Sequence, residues 1–353
     1  MKNSILLFFL IFVIPIINSQ ETDQKVNLHE VSPLFDEERS LSITLKYSKK
    51  DLLKFTNDST YIKSKIKYTE NGGGIKNMDV EMRARGNYRR KNCYYLPLWI
   101  KMKKADSKGS IFADDKKIKI VLPCLKSKKS NDNVVKEYLA YKIFECLSPY
   151  YFEAKLIPIH LEEQIGNKII DHKLMAILVQ DDKQLAASFH GGIIKRNMHP
   201  KGQDPISSVR NALFQFMIGN TDYSAAYQHN EKIFFIDKKI VPVPYDFDMS
   251  GLVNPSYAIV SVVNDVELPI TRVTQRMYRG FERDEEVVQQ VRQEFLARQS
   301  EVFNIIDQNQ IFFEDPKEFV EAREFISDFY QILSDDKKFK NNVLKRGRTK
   351  MKE

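Results

Sequence analysis

The sequence predicts an α+β protein with a β-rich amino-terminal half and a mainly helical carboxy-terminal half. Three observations carry that expectation. Residues 41–123 alternate apolar and polar side chains in short runs, the period of half-buried strands. One segment of helical period, Asn133 to Leu147, stands between those runs and two further strand-like ones. After Asp182 the apolar residues recur at three- and four-residue spacing beneath charged outer faces.

Met1 to Gln20 has a lysine, an apolar run from Ile5 to Ile17 and the small Ser19, the layout of a secretory signal peptide cleaved near residues 19–20. The run is shorter than the ~20 residues that span a bilayer; an uncleaved anchor is the alternative. Residues 21–40 are polar and read as a leader. LSITLKY from Leu41 and IKSKIKY from Ile62 alternate, and NMDVEMRARG resumes the pattern after Asn71-Gly72-Gly73-Gly74, a hairpin signal. YYLPLWIKMKK and KKIKIVLP add two strands.

The helix from Asn133 carries Val134, Tyr138, Ile143 and Leu147 on one face, with Asn131 or Asp132 as cap. AKLIPIHLE and HKLMAILVQ follow as a strand pair around Gly166. Ser207 to Ile218, Glu285 to Asp307 and Pro316 to Leu333 read as helices, with the hairpin KIFFIDKKIVPVPYDFD between the first two. The boundaries are residues 41–182 for the β-rich part, 183–340 for the helical part and 341–353 for a basic, frayed tail.

The chain has 353 residues, 55 Lys+Arg against 47 Asp+Glu, and 42% apolar residues, enough for a large core. Its net charge of +8 is spread in short clusters, such as Lys126, Lys128 and Lys129, rather than in one stripe. Export would remove it from cytoplasmic nucleic acid, so a nucleic-acid partner is not expected; contact with envelope lipid phosphates or acidic glycans suits the charge better. Export also sets an oxidising compartment. Of Cys93, Cys124 and Cys146, the first two flank strands and are the expected pair, while Cys146 sits on the apolar helix face. Three reduced cysteines remain the alternative. No zinc-type spacing, GxSxG elbow or GxGxxG loop occurs.

The densest chemistry is Gly219-Asn220-Thr221-Asp222, then His229-Asn230, then Pro244-Tyr245-Asp246-Phe247-Asp248. An Asp, an Asn and a further Asp at a strand end are the oxygen donors that suit Mg²⁺ beside a phosphate, and phosphoryl transfer needs a carboxylate to orient its nucleophile. Each also has a bland reading, as turn, cap or strand-end residues.

GNTDYSAAYQHN followed by VPVPYDFDMSG resembles the catalytic and metal-binding segment of the CotH-like (spore-coat) atypical kinases, which are similar to HipA-type kinases. MRARGNYRR, LPLWIKM and KEYLAYKIFECLSPYYFEAKLIPIHLE resemble that family's Arg-Gly-Asn turn, lysine strand and following helix, so the likeness runs from about residue 80 to 255, and is nearest to exported Bacteroidetes-type members. The resemblance implies a bilobal protein-kinase-like fold with a β-rich N-lobe and a mainly helical C-lobe. It implies phosphoryl or nucleotidyl transfer, with ATP and Mg²⁺ as cofactors and a protein or glycan hydroxyl as acceptor.

Residue by residue, it implies that Lys101 contacts the phosphates, that Glu137 pairs with Lys101, and that Asp222 orients the acceptor. It places Asn230 and Asp246 on the metal, with Asp248 as the other candidate. It sets Arg85 and Gly86 on a turn facing the phosphates, and backbone from Val179 to Asp181 against adenine. Read from the residues alone, Lys101 is equally a solvated strand end, and the whole chain equally a silent, kinase-shaped envelope-binding protein.

Overall fold

The computed structural model describes residues 31–260 and 268–350. The expected signal peptide and the first half of the leader lie outside the described residues.

The amino-terminal half is a closed barrel. Strand β1 (Leu41–Tyr47) leads through the short helix α1 (Lys49–Phe55) into β2 (Ile62–Glu70) and β3 (Lys76–Ala84). Asn71 and Gly72 both have positive φ, 50° and 66°, the backbone of a tight turn that Asn-Gly supplies, and the Gly73 amide closes it on the Glu70 carbonyl at 2.9 Å. Helix α2 (Asn87–Asn92), β4 (Leu98–Met102), α3 (Lys104–Ser107) and β5 (Lys117–Val121) follow. Helix α4 (Ser130–Leu147) then crosses to the long hairpin β6 (Ala154–Ile165) and β7 (Lys168–Gln180). The strand order is β1-β2-β3-β4-β5-β7-β6, and β6 closes the ring by running parallel to β1, with Ile43 opposite Ile159.

This corrects the bilobal kinase-like expectation. The amino-terminal half is a seven-stranded barrel, not an open sheet forming a kinase N-lobe. The closing pair joins residues more than 110 apart, a contact that local periodicity does not encode. The barrel is filled by alternate side chains, among them Leu45, Ile66, Val80, Met82, Ile100, Ile118, Ile120 and Leu178. Their neighbours Val121, Ile177 and Val179 point the opposite way and pack against the helices. Thus β7 is apolar on both faces, which explains its unbroken run Ala176–Val179.

The remainder begins with α5 (Asp182–Ser188), β8 (Gly192–Ile194) and α6 (Pro205–Met217). Strands β9 (Glu231–Ile236) and β10 (Lys239–Pro244) form a hairpin beside β8. Helices α7 (Glu285–Ala297), α8 (Gln299–Gln308), α9 (Pro316–Ser334) and α10 (Asp336–Asn342) complete it. The helix expected over Glu285–Asp307 is interrupted at Arg298. The expected cap of α4 is also different. Its first residue is Ser130, and Asp132 instead accepts from the Glu314 and Asp315 amides, tying α4 to the start of α9.

The basic tail is held rather than frayed as far as residue 350 is described. Phe339 and Val343 are buried, and the Arg348 backbone pairs with Gly280 and Glu282. Cys93 and Cys124 form the expected disulfide, fastening the end of α2 to the segment before α4. Cys146 is free and half-buried.

Candidate functional site

The β9–β10 hairpin delivers the site. Its turn is made by Asp237 and Lys238, both with positive φ, and its base brings Asn230 next to Tyr245, whose amide donates to the Asn230 carbonyl at 3.0 Å. Asn230 and Asp246 hold φ of 52° and 64°. Two non-glycine residues in the left-handed region on either side of one hairpin base are a local strain of the kind that accumulates at functional sites. Asp222 arrives from α6, which stops at Gly219. That glycine has φ 62°, and a Cβ there would meet the Phe325 ring at 2.9 Å, so no other residue fits.

Asp222 is positioned from three directions. Its amide donates to Asn220 Oδ1 at 2.9 Å, Asn230 Nδ2 donates to its Oδ2 at 2.8 Å, and His229 Nε2 lies 2.9 Å from its Oδ1. The Asp222 hydrogen bond raises His229 above its ordinary value, against the opposing effect of burial. His229 remains close to half exposed, so this acid–imidazole pair faces solvent.

Behind it, Arg89 joins three carboxylates. It lies 2.9 Å from Asp248, 3.0 Å from Glu137 and 3.5 Å from Asp246. Burial pushes Glu137 up to about 7 and Asp248 up to about 6, with Arg89 holding both back. For Asp246 burial also acts upward, but Arg89, Arg85, Lys119 and His229 outweigh it and hold the carboxyl below its ordinary value. Asp246 is therefore the anionic member of the group, and its side chain is partly open.

The third component is cationic. A cavity of about 410 Å³ opens next to Tyr245 and is lined by Arg83, Arg85, Lys119, Lys232, Trp99 and Asp182. Lys119 projects into it because Ile118 and Ile120 on either side fill the barrel. Its ammonium is buried, has no hydrogen-bond partner among the described residues, and lies over Phe152 at 4.5 Å and Tyr245 at 5.0 Å. Burial, then the nearby Arg85, pushes it down to about 7, with Asp182 and Asp181 opposing.

The sequence-derived residues divide clearly. Asp222, Asn230, Asp246 and Asp248 converge, and Glu137 joins them. Arg85 and Gly86 line the cationic cavity; Gly86 is needed for its φ of 77°, since a Cβ there would meet nothing closer than 3.7 Å. Lys101 does not converge. It lies exposed on the outside of the barrel, bonded to Glu81 at 3.0 Å. Glu137 accordingly pairs with Arg89 and not with Lys101. The reason is position along the sheet: Trp99, Lys101, Lys117 and Lys119 all share its outer face, but Lys119 stands opposite the buried Trp99, whereas Lys101 stands one pair further along, opposite Lys117, where that face is exposed.

A cavity of about 620 Å³ contains Lys101 but none of Asp222, Asn230, Asp246 and Asp248; in it Lys101 pairs with Glu81 and Lys65 with Asp79. Val179 is buried in the core beside Lys119 in register, and Asp181 caps α5 while ion-pairing with Lys117. Neither side chain faces the cavity, and the Gln180 amide between them is bonded to Glu153.

Sequence reasoning missed Arg89, Lys119 and Tyr257, which donates to Asp248 at 3.3 Å. Alternation in KIKIV does place Lys119 opposite its isoleucines, but nothing local says which of the outward lysines lies where the helical body covers the sheet. Among the described residues, no three His, Cys, Asp or Glu side chains surround a common point as a metal cage would. Asp246 and Asn230 flank the hairpin base and carry the oxygens that a divalent ion would use. No family model matches the chain, and no curated protein matches it.

Proposed function

We propose that this protein is an exported phosphotransferase that moves a phosphoryl group from ATP to a protein or glycan hydroxyl. The observation that carries this reading is the unpartnered, buried Lys119 ammonium in a cavity edged by Arg83, Arg85 and Lys232, immediately beside the anionic Asp246. A lone buried ammonium is costly unless an anion completes it, and a triphosphate fits a cavity of that charge. The Cys93–Cys124 disulfide supports an oxidising location.

In this reading Lys119 and Arg85 hold phosphate oxygens, and Trp99 or Tyr245 offers a ring for the base to stack on. Asp246 and the Asn230 amide oxygen would hold Mg²⁺, which when bound neutralises phosphate charge. Asp222 accepts the proton of the acceptor hydroxyl, and His229, held by Asp222 at 2.9 Å, keeps that carboxylate aimed. Arg89 fixes Asp248 and Glu137, which leaves Asp246 as the carboxylate turned to the open side.

Arg89 also supports a second reading, a silent binding protein. Its guanidinium already satisfies much of the acidic cluster, as a metal would. Incubation with ATP, Mg²⁺ and denatured protein or glycan acceptors, followed by phosphate analysis, separates the two. Activity lost in Asp222→Asn and Lys119→Met supports transfer. ATP binding with no turnover supports the silent reading, and no ATP binding removes both nucleotide roles.

A further inference from the structure

One end of the barrel carries features that the cleft does not use. The β6–β7 hairpin turns at Gly166 and Asn167 and runs past the end of β1, whose last pairing is Tyr47 with Glu163. At about 3.3 Å per residue, Gln164 and Ile165 with the turn project roughly 7–10 Å beyond the rim. The projecting part bears Ile165, Ile169 and Ile170, exposed by 50%, 55% and 40%. Glu163 pairs with Ile170 and Ile165 with Lys168, so Ile165 and Ile170 share one face of the hairpin, while Ile169 lies on the other. A tip apolar on both faces is poorly covered by one flat protein surface. It is fully covered when immersed in a fluid apolar phase.

The surroundings are cationic. Helix α1 leaves from the same rim, and with the end of β1 it presents Lys46, Lys50 and Lys54; Lys168 stands at the tip itself. None of these four lysines forms an ion pair among the described residues. Of the carboxylates nearby, Glu162 lies 3.9 Å from Lys67 and Asp171 lies 3.0 Å from His160, which leaves Asp51 as the one acidic residue of α1 against these four lysines. Leu53 and Phe55 of α1 are exposed beside these lysines, with the Lys54 ammonium over the Phe55 ring at 5.0 Å.

We propose that this end of the barrel docks on an anionic lipid bilayer, with Ile165, Ile169 and Ile170 immersed and the lysines against headgroup phosphates. A projection of this height matches the roughly 5–10 Å to which interfacial segments bury their apolar groups, and aliphatic insertion with basic attraction is the pairing that makes such binding stable. Each lysine near an anionic surface strengthens the attraction, and salt screens it. This role is independent of turnover in the cleft.

The test places a reporter on the tip of the full chain. The protein has one tryptophan, Trp99, which is buried and gives a constant background. Ile169→Trp is mixed with vesicles of phosphatidylglycerol and phosphatidylcholine carrying brominated acyl chains. The expected result is a blue shift and loss of at least half of the added fluorescence. Phosphatidylcholine vesicles alone should produce little effect, and high salt should weaken the response. In flotation with unbrominated vesicles, Ile165→Asp/Ile170→Asp should bind at least tenfold more weakly than the parent.

Three results would overturn the proposal. The first is fluorescence unchanged by brominated anionic vesicles, as expected if only the amino-terminal segment meets lipid. The second is undiminished flotation of the double variant. The third is a blue shift that needs no vesicles and grows with protein concentration, which would assign the tip to a second copy of this chain.

Discussion

Replacing Lys119 with methionine is expected to make the protein more stable and less able to bind a phosphate. Burial lowers this ammonium from 10.5 to about 7. At about 1.4 kcal/mol per tenfold, that gap bounds the cost of housing the lysine at about 5 kcal/mol. Water entry through the cavity reduces the realised gain in Lys119→Met to about 2 kcal/mol near pH 7. The sign follows from proton uptake. The unfolded lysine stays protonated up to about 10.4, so between pH 7 and 10 the unfolded chain binds more protons, and the stability of the parent rises with pH. The variant lacks that rise, so its advantage shrinks across the same window and is largest below pH 7.

Urea denaturation of both proteins from pH 6 to 9, with and without ATP and Mg²⁺, measures this. At a hundred times its dissociation constant, ATP should stabilise the parent by about 2.7 kcal/mol and the variant hardly at all. A variant less stable than the parent at pH 7 would refute the reasoning. So would an unchanged response to ATP.

Three further perturbations test the surrounding network. Arg89→Met leaves Glu137 and Asp248 buried without their cation and should cost about 3–5 kcal/mol at pH 8. The loss should lessen at pH 5, where both carboxyls are protonated in the folded state, and urea titrations at the two pH values would show it. Cys93→Ser combined with Cys124→Ser opens a loop of 31 residues and should lower stability by about 3–4 kcal/mol in a thermal melt. It should also weaken ATP binding, because the disulfide anchors the end of the helix bearing Arg89. Glu231 is buried, neither of its oxygens makes a well-aligned hydrogen bond among the described residues, and burial pushes it up to about 8, offset in part by Asn211. The folded protein keeps a proton there that the unfolded chain releases above about 4.5, so stability falls as pH rises from 4.5 to 8. Glu231→Gln should remove that slope, giving a gain of about 2 kcal/mol at pH 8 and none at pH 4.

The site was legible where chemistry and local geometry coincide. Asp222, Asn230 and Asp246 lie at a helix end and at the base of a hairpin, and both features show in short stretches of sequence, as Gly219 after an apolar helix and as FFID and IVPVPYD. The Cys93–Cys124 pairing was legible for a similar reason, since both cysteines bound strands. Lys101 misled because WIKM carries the same alternation as KIKIV and puts its lysine on the same outer face; what separates Lys101 from Lys119 is how far along that face the helical body reaches.

The sequence by itself determined the strands of residues 41–123, the helix before Leu147, the acidic and amide cluster and the cysteines available to pair. Each follows from side-chain period or from residue chemistry within some twenty positions. Only the tertiary structure decided that the strands close into a barrel, that Lys119 is the lysine of the cleft, and that Arg89 joins Glu137 to Asp248. Those contacts bridge 115 or so residues between β1 and β6 and 159 between Arg89 and Asp248. They depend on how a curved sheet meets a helical body, and no local propensity carries that information.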